Sequence, residues 1–207
     1  MKPKTAALWA KQDEYDTDRW RLFAAVRAFT GARTVVYPGS YVDISPSFVF
    51  DSVTYVDIDK RTPAFFADTD GVREIVAANG GPVDADVAFV HADYTAELDL
   101  DVDSFDLLVS LYAGFVSEHC TQHLRIGGTL LVNPSHGDAA MASIDPRYEL
   151  AGVITVDDGN YEVTTTDLDT HLIPKKAQQI TVDLLHTAGR GIAYTRTPFA
   201  YLFTRVA

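Results

Sequence analysis

Thr34-Val35-Val36-Tyr37-Pro38-Gly39-Ser40-Tyr41, followed by Val53-Thr54-Tyr55-Val56-Asp57-Ile58-Asp59, decides the reading of this chain. The first run is a buried strand that breaks at Gly39 into a tight turn. A short helical segment fits between the runs, because Ser45-Pro46 supplies a good cap and a residue suited to a first helical turn. The second run is a buried strand closed by a carboxylate. Asp57 lies about 20 residues beyond the first strand, where an open α/β sheet places the acid that grips a ribose. The pattern predicts a nucleoside-bearing small molecule bound at the carboxyl ends of parallel strands.

Working outward, residues 16–30 read as a helix. Asp16 or Thr17 is expected to cap it, Trp20, Phe23, Ala24 and Ala28 recur at helical spacing, and Gly31 ends it. Thr62 to Asn79 read as helical with a break near Asp70-Gly71, and Asp59 is expected to cap that stretch. Val87 to Val90 give a third strand leading into His91-Ala92-Asp93, and Phe105 to Leu111 a fourth. Gly114 to Leu124 read as a helix, Arg125-Ile126-Gly127-Gly128 as the turn after it, and Thr129 to Val132 as a fifth strand. Strands alternating with helices imply βαβ units and a mainly parallel sheet. The last third differs. Val153 to Val156 and Tyr161 to Thr166 flank Asp157-Asp158-Gly159-Asn160, a hairpin signal. Ala177 to Thr187 read as a helix and Phe199 to Val206 as a closing strand. The expectation is one domain over residues 1–207: an N-terminal helical segment (1–33), a nucleoside-binding half (34–133) and an acceptor-side half (134–207).

The 207 residues suffice for a well-buried core. The net charge of −12 repels phosphate backbones, so duplex nucleic acid is not an expected partner. No apolar run reaches the ~18 residues that span a bilayer, and residues 1–10 lack a secretory core. The single cysteine, Cys120, cannot form an internal disulfide. A cytoplasmic protein with no membrane partner is expected, and a homodimer is left open.

Together these pieces resemble the class I S-adenosylmethionine-dependent methyltransferases, from about Thr34 to Asn133. The residues that carry the resemblance are the Tyr37-Pro38-Gly39-Ser40 loop, the strand-end Asp57 with Ile58, Asp93-Tyr94 after the third strand, and Phe105-Asp106 opening the fourth. The run Leu124-Arg125-Ile126-Gly127-Gly128-Thr129-Leu130-Leu131-Val132 completes the set. The resemblance implies a three-layer Rossmann-like sandwich with a seven-stranded sheet in the order 3-2-1-4-5-7-6 and an antiparallel seventh strand. It implies S-adenosylmethionine as cofactor, held by Tyr37, Pro38, Gly39, Ser40, Asp57, Ile58, Asp93, Tyr94 and Ser110, and a small-molecule methyl acceptor. The first loop departs from the family's Gly-x-Gly-x-Gly: Gly39 is followed by Ser40-Tyr41-Val42-Asp43, so Asp43 would either face the cationic end of the ligand or obstruct its carboxylate.

On the acceptor side, Ser110 and Tyr112 end the fourth strand and Asn133-Pro134-Ser135-His136-Gly137-Asp138 follows the fifth. His136 is a candidate general base with Asp138 to orient it, weighed against a plain loop in which Ser135 caps the next helix. Tyr112 is a second catalytic candidate that would shape the acceptor pocket or orient a nucleophile, weighed against aromatic packing under a loop. His91 with Asp93, and His119 with His123, are too few ligands for a metal, so none is expected. Two other functions compete: a nicotinamide-dependent oxidoreductase, which Asp57 also suits, and a non-catalytic relative that binds a nucleoside.

Overall fold

The computed structural model describes residues 1–16 and 18–207, which divide into two compact units, Met1–Leu98 and Asp99–Ala207. In the first unit, α1 (Pro3–Asp16) and α2 (Arg19–Thr30) precede β1 (Thr34–Pro38), a single 3-10 turn (Ser45–Phe48), β2 (Ser52–Asp57), α3 (Thr62–Phe66), α4 (Thr69–Ala78) and β3 (Asp86–His91). The strands are parallel in the order β3-β2-β1, with Tyr37 opposite Tyr55 and Asp57 opposite His91. Val35, Val36, Tyr37, Val53, Tyr55 and Val56 are all buried. A parallel strand covered on both faces reads as a continuous apolar run, which is why these two were legible.

The first helix of the sequence reading is corrected. The described helix begins at Arg19, with Asp18 before it, and Asp16 closes the separate helix α1; the Thr17 cap lies outside the described residues. Leu22, Phe23 and Val26 form the inward face of α2, while Trp20 is 42% exposed. Gly31 ends α2 in a left-handed conformation, its amide bonded to the Arg27 carbonyl at 2.8 Å. The break between α3 and α4 falls at Ala67-Asp68 rather than at Asp70-Gly71. Asp68 takes the cap position of α4, its carboxylate accepting from the Gly71 amide. Trp9 of α1 meets Phe48 edge-on at 5.7 Å between centroids, and the Lys2 amide reaches the Asp68 carboxylate at 2.6 Å.

The second unit contains β4 (Phe105–Ser110), α5 (Val116–Cys120), β5 (Leu124–Val132), α6 (Asp138–Ile144), β6 (Tyr148–Asp157), β7 (Asn160–Thr164), α7 (Val182–Ala188) and β8 (Ala200–Arg205). Its strand order is β4-β5-β8-β6-β7, with β4 and β5 parallel and the C-terminal strands antiparallel. Helices, parallel strands and antiparallel C-terminal strands make the chain an α/β protein of Rossmann-like type. An eighth strand, β7, joins the expected seven through the hairpin at Asp158 and Gly159. Both residues have positive φ, 47° and 74°, as a two-residue hairpin turn requires.

The expected turn at residues 125–128 lies inside β5 instead. Phe105 pairs with Leu124 and Leu107 with Thr129, so the intervening residues bulge out of the ladder. Gly127 supplies a φ of +79°, and a side chain on Gly128 would come within 2.7 Å of the Leu124 Cδ1. The preceding helix is correspondingly shorter: α5 ends at Cys120 and a 3-10 turn covers Thr121–His123. The last helix starts at Val182, not Ala177, because the Thr181 hydroxyl caps it by accepting from the Leu184 amide at 3.2 Å. No helix among the described residues is long and apolar enough to cross a membrane.

Candidate functional site

The first cluster of candidates sits at the carboxyl ends of β1 and β2, within the first unit. Gly39 leaves β1 with φ +70°, its amide donating to the Val56 carbonyl at 2.8 Å. Tyr41 follows with φ +50°, in the left-handed region that a glycine would otherwise be needed to reach. Residue 41 thus takes a positive φ without being a glycine. The Tyr41 amide donates to Asp57 Oδ2 at 2.7 Å, and the Asp59 amide donates to Asp57 Oδ1 at 2.7 Å. Each carboxylate oxygen of Asp57 thus accepts one backbone amide and keeps a second acceptor site.

Asp43 points into the protein rather than out of the loop. Its carboxylate is buried, bonded to Arg19 Nη1 at 2.8 Å, to the Tyr37 hydroxyl at 3.3 Å, to the Ser45 amide at 3.1 Å and to the Ser45 hydroxyl. Those bonds turn the acid inward and neutralise it. They also make Asp43, rather than Ser45, the side chain that satisfies the start of the 3-10 turn. Tyr37 is correspondingly buried, its ring near Phe23 and Tyr55, so its hydroxyl serves Asp43. Pro38 is buried at the strand end, and Ser40 is buried with its hydroxyl directed at the Tyr41 carbonyl, 3.4 Å away.

Asp59 does not cap α3 with its side chain. It forms a two-point ion pair with Arg61, at 2.8 and 2.7 Å, and that pairing holds its carboxyl down to about 2. The Arg61 guanidinium in turn lies 4.7 Å above the Tyr41 ring. Sequence reading missed Arg61, whose role depends on the loop fold that carries Tyr41 to it. Ile58 is 65% exposed immediately beyond Asp57, its carbonyl 3.2 Å from His91 Nε2. Asp93 is exposed and accepts from the Thr95 amide at 2.9 Å and the Thr95 hydroxyl at 2.8 Å, with Tyr94 between them.

The second cluster lies at the ends of β4 and β5 in the second unit. Ser110 is buried and donates to Asp138 Oδ2 at 2.5 Å. Asp138 also accepts from the Ser117 amide at 3.1 Å and from the Ser117 hydroxyl. Burial pushes the Asp138 carboxyl up to about 6 against the pull of these serine bonds. Of the two alternatives for Asp138, the bonds to Ser110 and Ser117 leave the orienting of His136 unsupported; Asp138 is the first residue of α6, behind a left-handed Gly137 that takes the cap position expected of Ser135.

His136 finds a different partner. Its Nδ1 lies 2.7 Å from the Ser135 hydroxyl, which donates to Asn133 Oδ1 at 2.8 Å; the same Asn133 oxygen accepts the Tyr112 amide at 3.2 Å. Ser135 has one hydroxyl proton and spends it on Asn133, so Nδ1 of a neutral His136 must be the donor. That assignment leaves Nε2 with a free lone pair on an exposed ring. Tyr112, with φ +56° and 51% exposure, lines a recess of about 560 Å³ together with Asn133, Ser135, Arg190 and Phe199. Gly191 closes one wall of this recess: its amide bonds the Ser135 carbonyl at 3.2 Å, and any side chain there would run into the Pro134 carbonyl. Cys120 is buried and its thiol is pushed up to about 12 by burial, a packed rather than reactive sulfur.

No family model and no curated protein matches the chain. Among solved structures, a candidate O-methyltransferase from Klebsiella pneumoniae aligns over 100% of this chain and 91% of its own, at 10% identity and a TM-score of 0.54. The chain has the fold of the class I methyltransferases. The O-methyltransferase TomG from Streptomyces achromogenes, solved in complex with SAM, aligns over 79% of this chain and 88% of its own, with 13% identity and a TM-score of 0.49. A candidate methyltransferase solved in complex with the Haloferax volcanii Trm112 methyltransferase activator aligns over 96% of this chain and 95% of the other, at 15% identity and a TM-score of 0.49. On this methyltransferase fold, the end of β2 is occupied by Asp57, and the ends of β4 and β5 by Tyr112 and the Asn133–His136 loop.

Proposed function

We propose that this chain is an S-adenosylmethionine-dependent methyltransferase acting on a small-molecule acceptor. The observation that carries the reading is the state of Asp57. Two loop amides fix its carboxylate at the end of β2, and each oxygen retains an acceptor site for one of two vicinal hydroxyls. The residues present fit the cofactor: Asp57 would take the ribose hydroxyls, exposed Ile58 would lie against the adenine face, and Asp93 with Tyr94 would meet the amino edge. The Gly39-Ser40 backbone would approach the amino-acid end, where the neutralised Asp43 offers no repulsion. When bound, the cofactor supplies an electrophilic methyl group on sulfur.

This chain's own residues would then align the acceptor and move its proton. His136 Nε2 would take a proton from a hydroxyl or amine, its tautomer set by the hydrogen bonds of Ser135 and Asn133. Tyr112 would shape the acceptor's surroundings rather than react. The Ser110 hydroxyl is committed to Asp138, so Ser110 would contribute backbone shape only.

A dinucleotide reading has less support. A pyrophosphate needs free amides at a helix start. Here a 3-10 turn follows β1, and the Asp43 carboxylate already takes the Ser45 amide. Calorimetric titration with S-adenosylmethionine, S-adenosylhomocysteine and NAD tests the proposal. Saturable binding of the first two, weakened at least about tenfold in Asp57→Asn, is expected. Binding of NAD alone would return the oxidoreductase reading, and no binding of any of the three would leave a non-catalytic relative.

A further inference from the structure

The second unit carries seven lysines and arginines, and they fall into two groups. Arg125, Arg147 and Arg205 each hold a carboxylate, those of Asp106, Asp145 and Asp103, and Arg196 donates to the Thr170 hydroxyl. Among the described residues, Lys175, Lys176 and Arg190 make no ion pair and no side-chain hydrogen bond. These three line a single recess of about 470 Å³ together with Gln178, Leu184 and Ile192. In a chain with 29 acidic residues, neither this recess nor the one beside Tyr112 is lined by an aspartate or glutamate. Three uncompensated cations converging on one concavity of a strongly acidic protein create a local positive field.

The backbone beneath the cations is ordered by pairing. The Lys175 amide donates to the Ala193 carbonyl at 2.8 Å, the Thr195 amide to the Ile173 carbonyl at 2.8 Å, and Pro174 bridges Tyr194. Arg190 follows the left-handed Gly189 that ends α7, which fixes the direction in which the chain leaves the helix. Leu184 and Ile192 give the recess an apolar side, so it offers charge at one part and a greasy wall at another. The segment Arg190–Ala193 lines both this recess and the one that holds Tyr112, Asn133 and Ser135, which makes the two adjacent.

We infer that Lys175, Lys176 and Arg190 form a subsite for the anionic group of a small amphipathic acid, a carboxylate or a phosphate monoester, whose apolar body lies against Leu184 and Ile192. The claim that this acid is the methyl acceptor rests on the methyl-transfer reading; the anion site itself does not. Arg190 would pair with the anion by its planar fork, and the two lysines would act as point charges.

The full-length protein is titrated calorimetrically with phenyl phosphate and, separately, with benzoate, which distinguishes the two anion types. Saturable binding of at least one probe is expected, weakening at about 1 M salt, where the screening length falls to roughly 3 Å. In the triple variant Lys175→Gln, Lys176→Gln, Arg190→Gln, affinity should drop at least about tenfold. All three are exposed side chains without ion-pair partners among the described residues, and an unchanged circular dichroism spectrum and melting temperature would establish that the variant is folded. Failure of both probes to bind the wild-type protein, or equal binding by the folded variant, would overturn the inference. A parallel titration of wild-type protein with S-adenosylmethionine keeps the two readings apart: probe binding without cofactor binding would remove the methyl-transfer reading and leave the anion subsite standing.

Discussion

The Tyr41 amide donates to Asp57 Oδ2 at 2.7 Å, which fastens a residue in left-handed backbone to the acid that ends β2. Asp57 thereby holds two loops through one carboxylate, since Asp59 uses the other oxygen. Truncation in Asp57→Ala leaves two amides without their acceptor and should cost about 2 kcal/mol of stability. Asp57→Asn keeps one acceptor and should lose about half as much. Urea unfolding of the three proteins measures this, and an alanine variant as stable as the wild type would show that the carboxylate does not fasten the loops.

Arg19 and Asp43 form an ion pair that is largely withdrawn from water, the aspartate almost completely. Removing the cation in Arg19→Ala leaves a buried carboxylate with only hydroxyl and amide donors, and a loss of roughly 3 kcal/mol is expected. Adding Asp43→Asn to that variant should recover part of the loss, because the uncompensated charge disappears. A double-mutant cycle from chemical denaturation gives the coupling directly.

Asp138 titrates in the wrong place for a surface aspartate. Its carboxyl is raised from 3.8 to about 6 by burial, so between those values the folded state holds a proton that the unfolded state has released. The contribution of Asp138 is therefore fully present below pH ~4 and is lost as pH rises through about 6, on the order of 3 kcal/mol. Asp138→Asn removes this titration while keeping an acceptor for the Ser117 amide. The stability of wild type relative to this variant should fall between pH 4 and 7; a difference independent of pH would contradict the assignment.

His136 acts through Nε2 if the Ser135–Asn133 chain fixes its tautomer. His136→Ala should lower the turnover of a hydroxyl acceptor by about 10²- to 10⁴-fold, with S-adenosylmethionine affinity unchanged by calorimetry. Ser135→Ala should slow turnover less and leave the His136 ring in exchange between tautomers, visible in its nitrogen chemical shifts. Wild-type turnover in His136→Ala would remove its role as base.

The parallel strands were legible because burial on both faces writes an uninterrupted apolar run, as in Val53 to Val56. The hairpin at Asp158-Gly159 was legible because its backbone needs residues that tolerate positive φ. Gly127-Gly128 misled for the related reason that glycines permit a bulge as readily as a turn, and only pairing with Phe105 and Leu107 distinguishes them. The inward turn of Asp43 depends on Arg19, 24 residues earlier, a distance no local pattern spans. For Asp138 the sequence offered a pairing with its near neighbour His136 as one alternative, whereas the chain folds it against Ser110, 28 residues away. For His136 itself the informative neighbours were local, in Asn133 and Ser135, but their value lay in proton accounting rather than in any motif. Arg190 and Lys175 line one recess from opposite sides of α7 in the sequence, a neighbourhood that sequence order does not display.

Gly191 sets the dimensions of what the second unit can admit. Because the Pro134 carbonyl occupies the space a methyl would need, the partition that Arg190–Ala193 builds between two chambers is pinned to the loop after β5. Its Gly191 amide bonds the Ser135 carbonyl, one residue before His136. On the methyl-transfer reading, a bulkier guest on one side would press on the loop that carries Ser135 and His136, so the missing methyl would act as a molecular ruler as well as a packing solution.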